Sequence, residues 1–180
     1  MAYTYKRGPI KMGMENYLAK LKWSTFFITS AGLMLALASI SPAYAAPPAA
    51  VSGSFNFTVT GVTSVTTSDG NTFTSFTFSE ILTGDVSGTR TGTGTFITHP
   101  DGTLNVRDCG TFVGSILGNS GTANDCANAQ GTSASATGQF VDTQGTGGLA
   151  GGHAEGFFVG GATGPTTFAG TYSGEFHFGP

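Results

Sequence analysis

Glu80 sits where an apolar residue belongs. It lies two residues beyond Phe78 and two before Leu82, on a parity that is otherwise hydrophobic, and Arg90 stands on the far side of a Gly84-Asp85 turn. A hairpin centred on Asp85 would set positions 80 and 90 face to face, where opposite charges stabilise a strand pair by a few tenths to about 1 kcal/mol. Inside or at the mouth of a barrel, such a pair would orient a small carbonyl or acid ligand. At a hairpin end it would be an ordinary exposed ion pair. Asp108 shares its parity with Leu104, Val106 and Phe112. Pointing inward it would have the raised pKa of a general acid, although a strand end or bulge is the expected location. Glu80, Arg90 and Asp108 are therefore the candidate ligand-binding residues.

Other chemistries find no residues to carry them. There is no Gly-x-Ser-x-Gly elbow for a nucleophilic serine. The run Gly145-Thr146-Gly147 to Gly151 lacks the Gly-Lys-Ser/Thr ending and the following helix of a phosphate loop, and reads as a tight turn between strands. His153 and Glu155 share a face with Phe157, while Glu175 and His177 lie opposite Phe176 and Phe178 and read as solvated; each His is expected to be a surface residue, and the three scattered His have no metal-ligand spacing. No catalytic residue, metal or cofactor is assigned.

The first 45 residues look like an address. Five of the seven cations precede residue 23, an uncharged run follows from Phe26 to Ile40, and Ala43-Tyr44-Ala45 precedes Ala46. This is the layout of a secretory signal cleaved between Ala45 and Ala46. The alternative is an uncleaved anchor, but the run is shorter than the roughly 20 residues of a membrane span. Initiation at Met12 or Met14 instead of Met1 would bring the basic region to the usual size. Residues 46–51 read as a short leader and 52–180 as one domain, so the protein is expected to be secreted or periplasmic and free of the membrane after cleavage. In that setting Cys109 and Cys126 are expected to form a disulfide, with two free buried thiols as the alternative. The bridge would close a Gly- and Asn-rich loop from Gly118 to Asn128, contributing roughly 3 kcal/mol. From Ala46 onward there are nine acids and two arginines, a net charge of minus 7. That body repels phosphate backbones, which excludes nucleic acid as a partner.

The elements that must position these residues are strands. The chain has 180 residues, 39% apolar and only 9% charged, with 29 glycines, which suits one compact domain. After residue 51 apolar residues alternate with Thr and Ser at period two. Phe55, Phe57 and Val59 share one face of a first strand; Phe76, Phe78 and Leu82 share one face of a second, beyond a turn at Asp69-Gly70. A third strand spans Val86 to Thr98, the turn His99-Pro100-Asp101-Gly102 follows, and Leu104, Val106 and Phe112 mark a fourth. Further strands are expected over Phe112–Leu117, Ser133–Val141, His153–Val159 and Phe168–Phe178. The fold class is all-β: a single antiparallel eight-stranded barrel, with a β-sandwich as the alternative.

A resemblance adds to this reading. Gly92-Thr93-Gly94-Thr95-Phe96, His99-Pro100-Asp101-Gly102, Gly110-Thr111-Phe112-Val113-Gly114 and Gly145 to Gly156 resemble bacterial proteins of the DUF3224 type. The resemblance covers roughly Ser52 to Phe178 and rests most on the Gly-Thr-Gly-x-Leu-Ala-Gly element. It implies the allene oxide cyclase-like barrel, similar also to plant dirigent proteins, with an interior cavity and homo-oligomers; it carries no catalytic residue over to this chain. Function is then expected to be the binding of a small apolar molecule inside the barrel. A cyclase- or isomerase-like enzyme using the same cavity, or a structural or adhesive protein with a filled core, are the alternatives.

Overall fold

The structure is a computed structural model, and it describes residues 47–132 and 134–179. The expected signal segment and its cleavage site at Ala45 and Ala46 lie outside the described residues. The described chain is an eight-stranded antiparallel meander: β1 (Ala49–Ser68), β2 (Asn71–Gly84), β3 (Val86–Thr98), β4 (Leu104–Ile116), β5 (Asn119–Gly131), β6 (Ala136–Gly147), β7 (Gly152–Ala162) and β8 (Thr167–Phe178). Each strand pairs with the next, and β1 pairs with β8 from Ala49↔Phe176 to Thr58↔Thr167, so the sheet closes into a barrel. Closure leaves no open sheet edge where the ring is complete. The sandwich alternative is not adopted.

Period two sets the two faces. Most Phe side chains point inward, with Phe157 outside at 63% exposure, and Thr and Ser form hydroxyl rows outside, such as Ser54 against Thr83 at 2.8 Å and Thr122 against Thr146 at 2.6 Å. Space for the rings comes from glycines directly across the ladder. Phe76 faces Gly94, and a Cβ there would come within 2.5 Å of the Phe76 ring. Phe158 faces Gly138 in the same way, at 2.3 Å. The glycine rows are thus the floors on which the core rings lie.

One end of the barrel is plugged. Val51, Val86, Ile116, Leu149, Ala154, Tyr172 and Phe176 pack together there. The Gly-rich element between β6 and β7 is a turn, as expected, and it folds Leu149 into the plug at 1% exposure. At the same end the Tyr172 hydroxyl accepts a hydrogen bond from Val86 N–H at 2.9 Å and reaches the carbonyl oxygens of Val86 and Thr83 at 3.0 and 3.1 Å. It thereby clasps the Gly84-Asp85 turn, which Asp85 also ties to β1 by accepting from Ser52 N–H at 2.8 Å.

Eight strands are present, but two expectations about them fail in compensating ways. Leu104–Ile116 is one continuous strand, where two were expected. Gly118–Asn128 is not a loop: only Leu117-Gly118 turn, and β5 begins at Asn119. Its inward positions are Ala123, Asp125, Ala127 and Ala129, which carry none of the large side chains by which a strand is recognised. β6 begins at Ala136, later than the expected Ser133, which lies outside the described residues. β1 begins at Ala49, inside the segment read as a leader.

Candidate functional site

The Gly84-Asp85 turn fixes the register of β2 and β3 so that Glu80 and Arg90 are direct partners. Both are buried and inward, so the exposed-pair alternative does not hold. Arg90, 4% exposed, donates from Nη1 to Glu80 Oε2 at 3.0 Å and from Nη2 to Asp108 Oδ1. Its Nε lies against Asp125 Oδ1 without the alignment of a hydrogen bond. The guanidinium carbon sits 4.8 Å from the centre of the Phe78 ring. Arg90 reaches two strands away because Gly110, paired with Gly92 on one side and Asp125 on the other, leaves β4 bare between Asp108 and Phe112.

Asp108 is mid-strand on β4 and inward, not at a strand end or bulge, because the strand continues past it to Ile116. The structure adds two residues that the sequence reading missed, Asp125 on β5 and Asp142 on β6. They face each other directly across the ladder and are both buried. Four of the nine acids after residue 45 thus lie inside the barrel, three of them against one guanidinium.

The electrostatics follow from burial. Desolvation lifts the Glu80 carboxyl to about 7 against the opposing pull of Arg90. Burial likewise raises Asp108, with Arg90 opposing. Asp125 is pushed well above the usual carboxylate range, by burial first and then by its hydrogen bond to Asp142. Asp142 is raised by burial, with the bond from Asp125 opposing. Burial also works against the charge on Arg90, but Asp125, Asp108 and Glu80 outweigh it and keep the guanidinium charged. The two aspartates therefore titrate as a pair, displaced upward by burial.

These five residues border a cavity of about 110 Å³. Its other walls are apolar, among them Phe57, Phe96, Phe140 and Phe168, with small side chains at Ala127 and Ala129. Its lining extends to Leu104, Thr132, Ala136 and Gly161, at the barrel end opposite the Leu149 plug. Phe76 stacks on Phe96 at 4.2 Å, and Phe57 on Phe78 at 4.8 Å, so the aromatic wall is a packed layer.

The remaining sequence candidates lie elsewhere. Cys109 and Cys126 are joined, and they face each other across β4 and β5 on the outer surface. The bridge staples two neighbouring strands, and the segment it encloses is the β4–β5 hairpin, not an irregular loop. His153 faces His177 and Glu155 faces Glu175 across β7 and β8, with their outward side away from the cavity. Among the described residues no group of three His, Cys, Asp or Glu has metal-holding geometry.

Fold and site together define a closed all-β barrel with an aromatic cavity over a buried ionic floor. A solved structure with the same fold comes from Shewanella oneidensis, a protein with unknown function from the DUF3224 family. It aligns with a TM-score of 0.60 and 16% identity over 74% of this chain and 98% of its own. No family profile matches the chain, and neither does any curated protein.

Proposed function

We propose that the protein is an exported barrel that binds a small, largely apolar molecule in its interior. The observation that carries this is the cavity itself: aromatic and alanine walls closed at one end by a hydrophobic plug, with a few convergent polar groups at the floor. That is the composition of a ligand pocket, in which apolar walls contribute affinity and polar groups fix orientation. Export is supported by the signal-like leader of the sequence and by the Cys109–Cys126 disulfide, which persists in oxidising compartments. The likeness in fold to the DUF3224 structure, together with the Gly-Thr motifs, supports the allene oxide cyclase-like assignment of the barrel.

The test is native mass spectrometry of the exported protein purified without detergent, beside its denatured mass. An adduct lost on denaturation, together with toluene uptake that Ala127→Phe abolishes by filling the cavity, is the expected result. A protein that carries no adduct and takes up no toluene would be a filled structural barrel. A second reading, acid–base isomerisation, rests on Glu80, whose carboxyl near 7 at the cavity floor suits a general acid. It requires the bound molecule to be converted, and Glu80→Gln to stop conversion while retaining binding.

A further inference from the structure

The ionic floor has more negative groups than it can neutralise. Arg90 turns Nη1 to Glu80, Nη2 to Asp108 and Nε towards Asp125, so each of its three nitrogens already faces a carboxyl of the protein. The body's other cation, Arg107, lies exposed on the outer face, and no lysine follows Lys22. Asp142 is left without a cation. It is 5% exposed, lines the cavity, and apart from the Asp125 carboxyl opposite it, its Oδ1 has no hydrogen-bond partner. A buried acceptor in that condition costs free energy until a donor reaches it.

An acid ligand would meet these carboxyls and a guanidinium already paired with three of them. A donor with positive charge would meet an unfilled acceptor and a deficit of cations. We propose that the ligand carries a protonated amine on a compact apolar body, with the ammonium against Asp142 and the body among the Phe walls. This rests on the cavity being a binding site, and it names the chemistry of what is bound. The volume suits a body of about benzene size or smaller, since an apolar cavity of about 150 Å³ accepts benzene.

Protonation of the floor competes with such a guest. The group facing Asp142 is Asp125, directly across the ladder, with Arg90 and Glu80 acting at longer range; Asp108 shares Arg90. As pH rises and these carboxyls lose protons, the site gains negative charge while an alkylammonium keeps its own. Affinity for an amine therefore rises between about pH 6 and pH 8, and that for a neutral guest does not.

Isothermal titration of the purified protein with benzylamine, toluene and benzoate separates the possibilities. Benzylamine is expected to bind about ten- to a hundredfold more tightly than toluene at pH 8, the worth of one charge-assisted hydrogen bond. Benzoate is expected not to bind. Asp142→Asn should remove the preference for benzylamine and leave toluene binding intact. Should that variant fail to fold, the pH dependence of the unaltered protein decides: benzylamine affinity flat or falling from pH 6 to 8 overturns the inference. Equal affinity for toluene and benzylamine, or tighter benzoate, overturns the amine while the cavity reading stands. Binding of none of the three overturns both.

Discussion

Asp125 and Asp142 stand directly opposite each other on β5 and β6, both buried inside the barrel. Burial and mutual repulsion raise the titration of this pair above the ordinary carboxylate range. The same burial acts on Glu80 and Asp108. The floor of the cavity is therefore a proton reservoir in the folded protein that the unfolded chain does not have.

Stability should fall as pH rises towards neutrality. Glu80 titrates near 4.5 when unfolded and near 7 when folded. Its contribution is fully present below the unfolded value and is lost as pH climbs through the folded one, for about 3 kcal/mol from this group. Asp108, Asp125 and Asp142 act in the same direction. Asp101, held low chiefly by the Thr103 hydroxyl, has the opposite sign but loses its contribution only in strong acid. Urea midpoints should be higher at pH 5 than at pH 8; a midpoint that climbs over that interval would mean that these acids are charged when folded.

Arg90→Met should be tolerated better in acid than in base. It removes the cation shared by Glu80, Asp108 and Asp125, and stranding buried charge costs about 3–5 kcal/mol. At pH 5 the carboxyls can take up protons and stay neutral, so the cost should shrink. Equal losses at pH 5 and pH 8 in denaturant titrations would show that Arg90 acts through packing alone.

The first half of the site was legible because a short turn transmits register. Once Gly84-Asp85 is read as the turn, Glu80 and Arg90 must face each other, and their parity with Phe78 and Leu82 points them inward. Asp108 was visible by parity with Val106 and Phe112. Asp125 and Asp142 were not, because β5 was read as a loop, and without β5 there is no ladder to bring them together. A faint signal existed in the shared parity of Ala123, Asp125, Ala127 and Ala129. Leu149 had no periodic signal at all, since a turn that folds into the barrel end belongs to neither face of a strand.

Gly94→Ala should destabilise the barrel although it lies in a regular strand. A methyl group there meets the Phe76 ring at 2.5 Å and the Arg107 carbonyl oxygen at 2.8 Å, and the backbone oxygen cannot swing away. Overpacking of this kind costs about 1–3 kcal/mol. A thermal midpoint equal to that of the unaltered protein would show that Phe76 has room to move.

Tyr172→Phe should loosen the clasp on the β2–β3 turn. The substitution keeps the ring among the plug residues and removes the hydroxyl that Val86 N–H donates to. Stranding that amide costs about 1–3 kcal/mol. Amide exchange should accelerate first at Val86, and exchange there that follows only global unfolding would deny the hydroxyl a local role.

The disulfide should act on the unfolded chain more than on the site. Cys109 and Cys126 are already neighbours in the ladder and lie outside the barrel, so opening the bond leaves the cavity walls where they are. What changes is the freedom of the denatured chain, in which a loop of 17 residues is no longer closed. Joint replacement by serine should therefore lower stability by roughly 3 kcal/mol. It should also steepen the urea dependence, because the uncrosslinked chain exposes more surface when unfolded. Toluene uptake should be unchanged under conditions where the variant is folded. Loss of uptake without loss of fold would instead make the bridge a positioning element for Asp108 and Asp125, which flank the two cysteines in sequence.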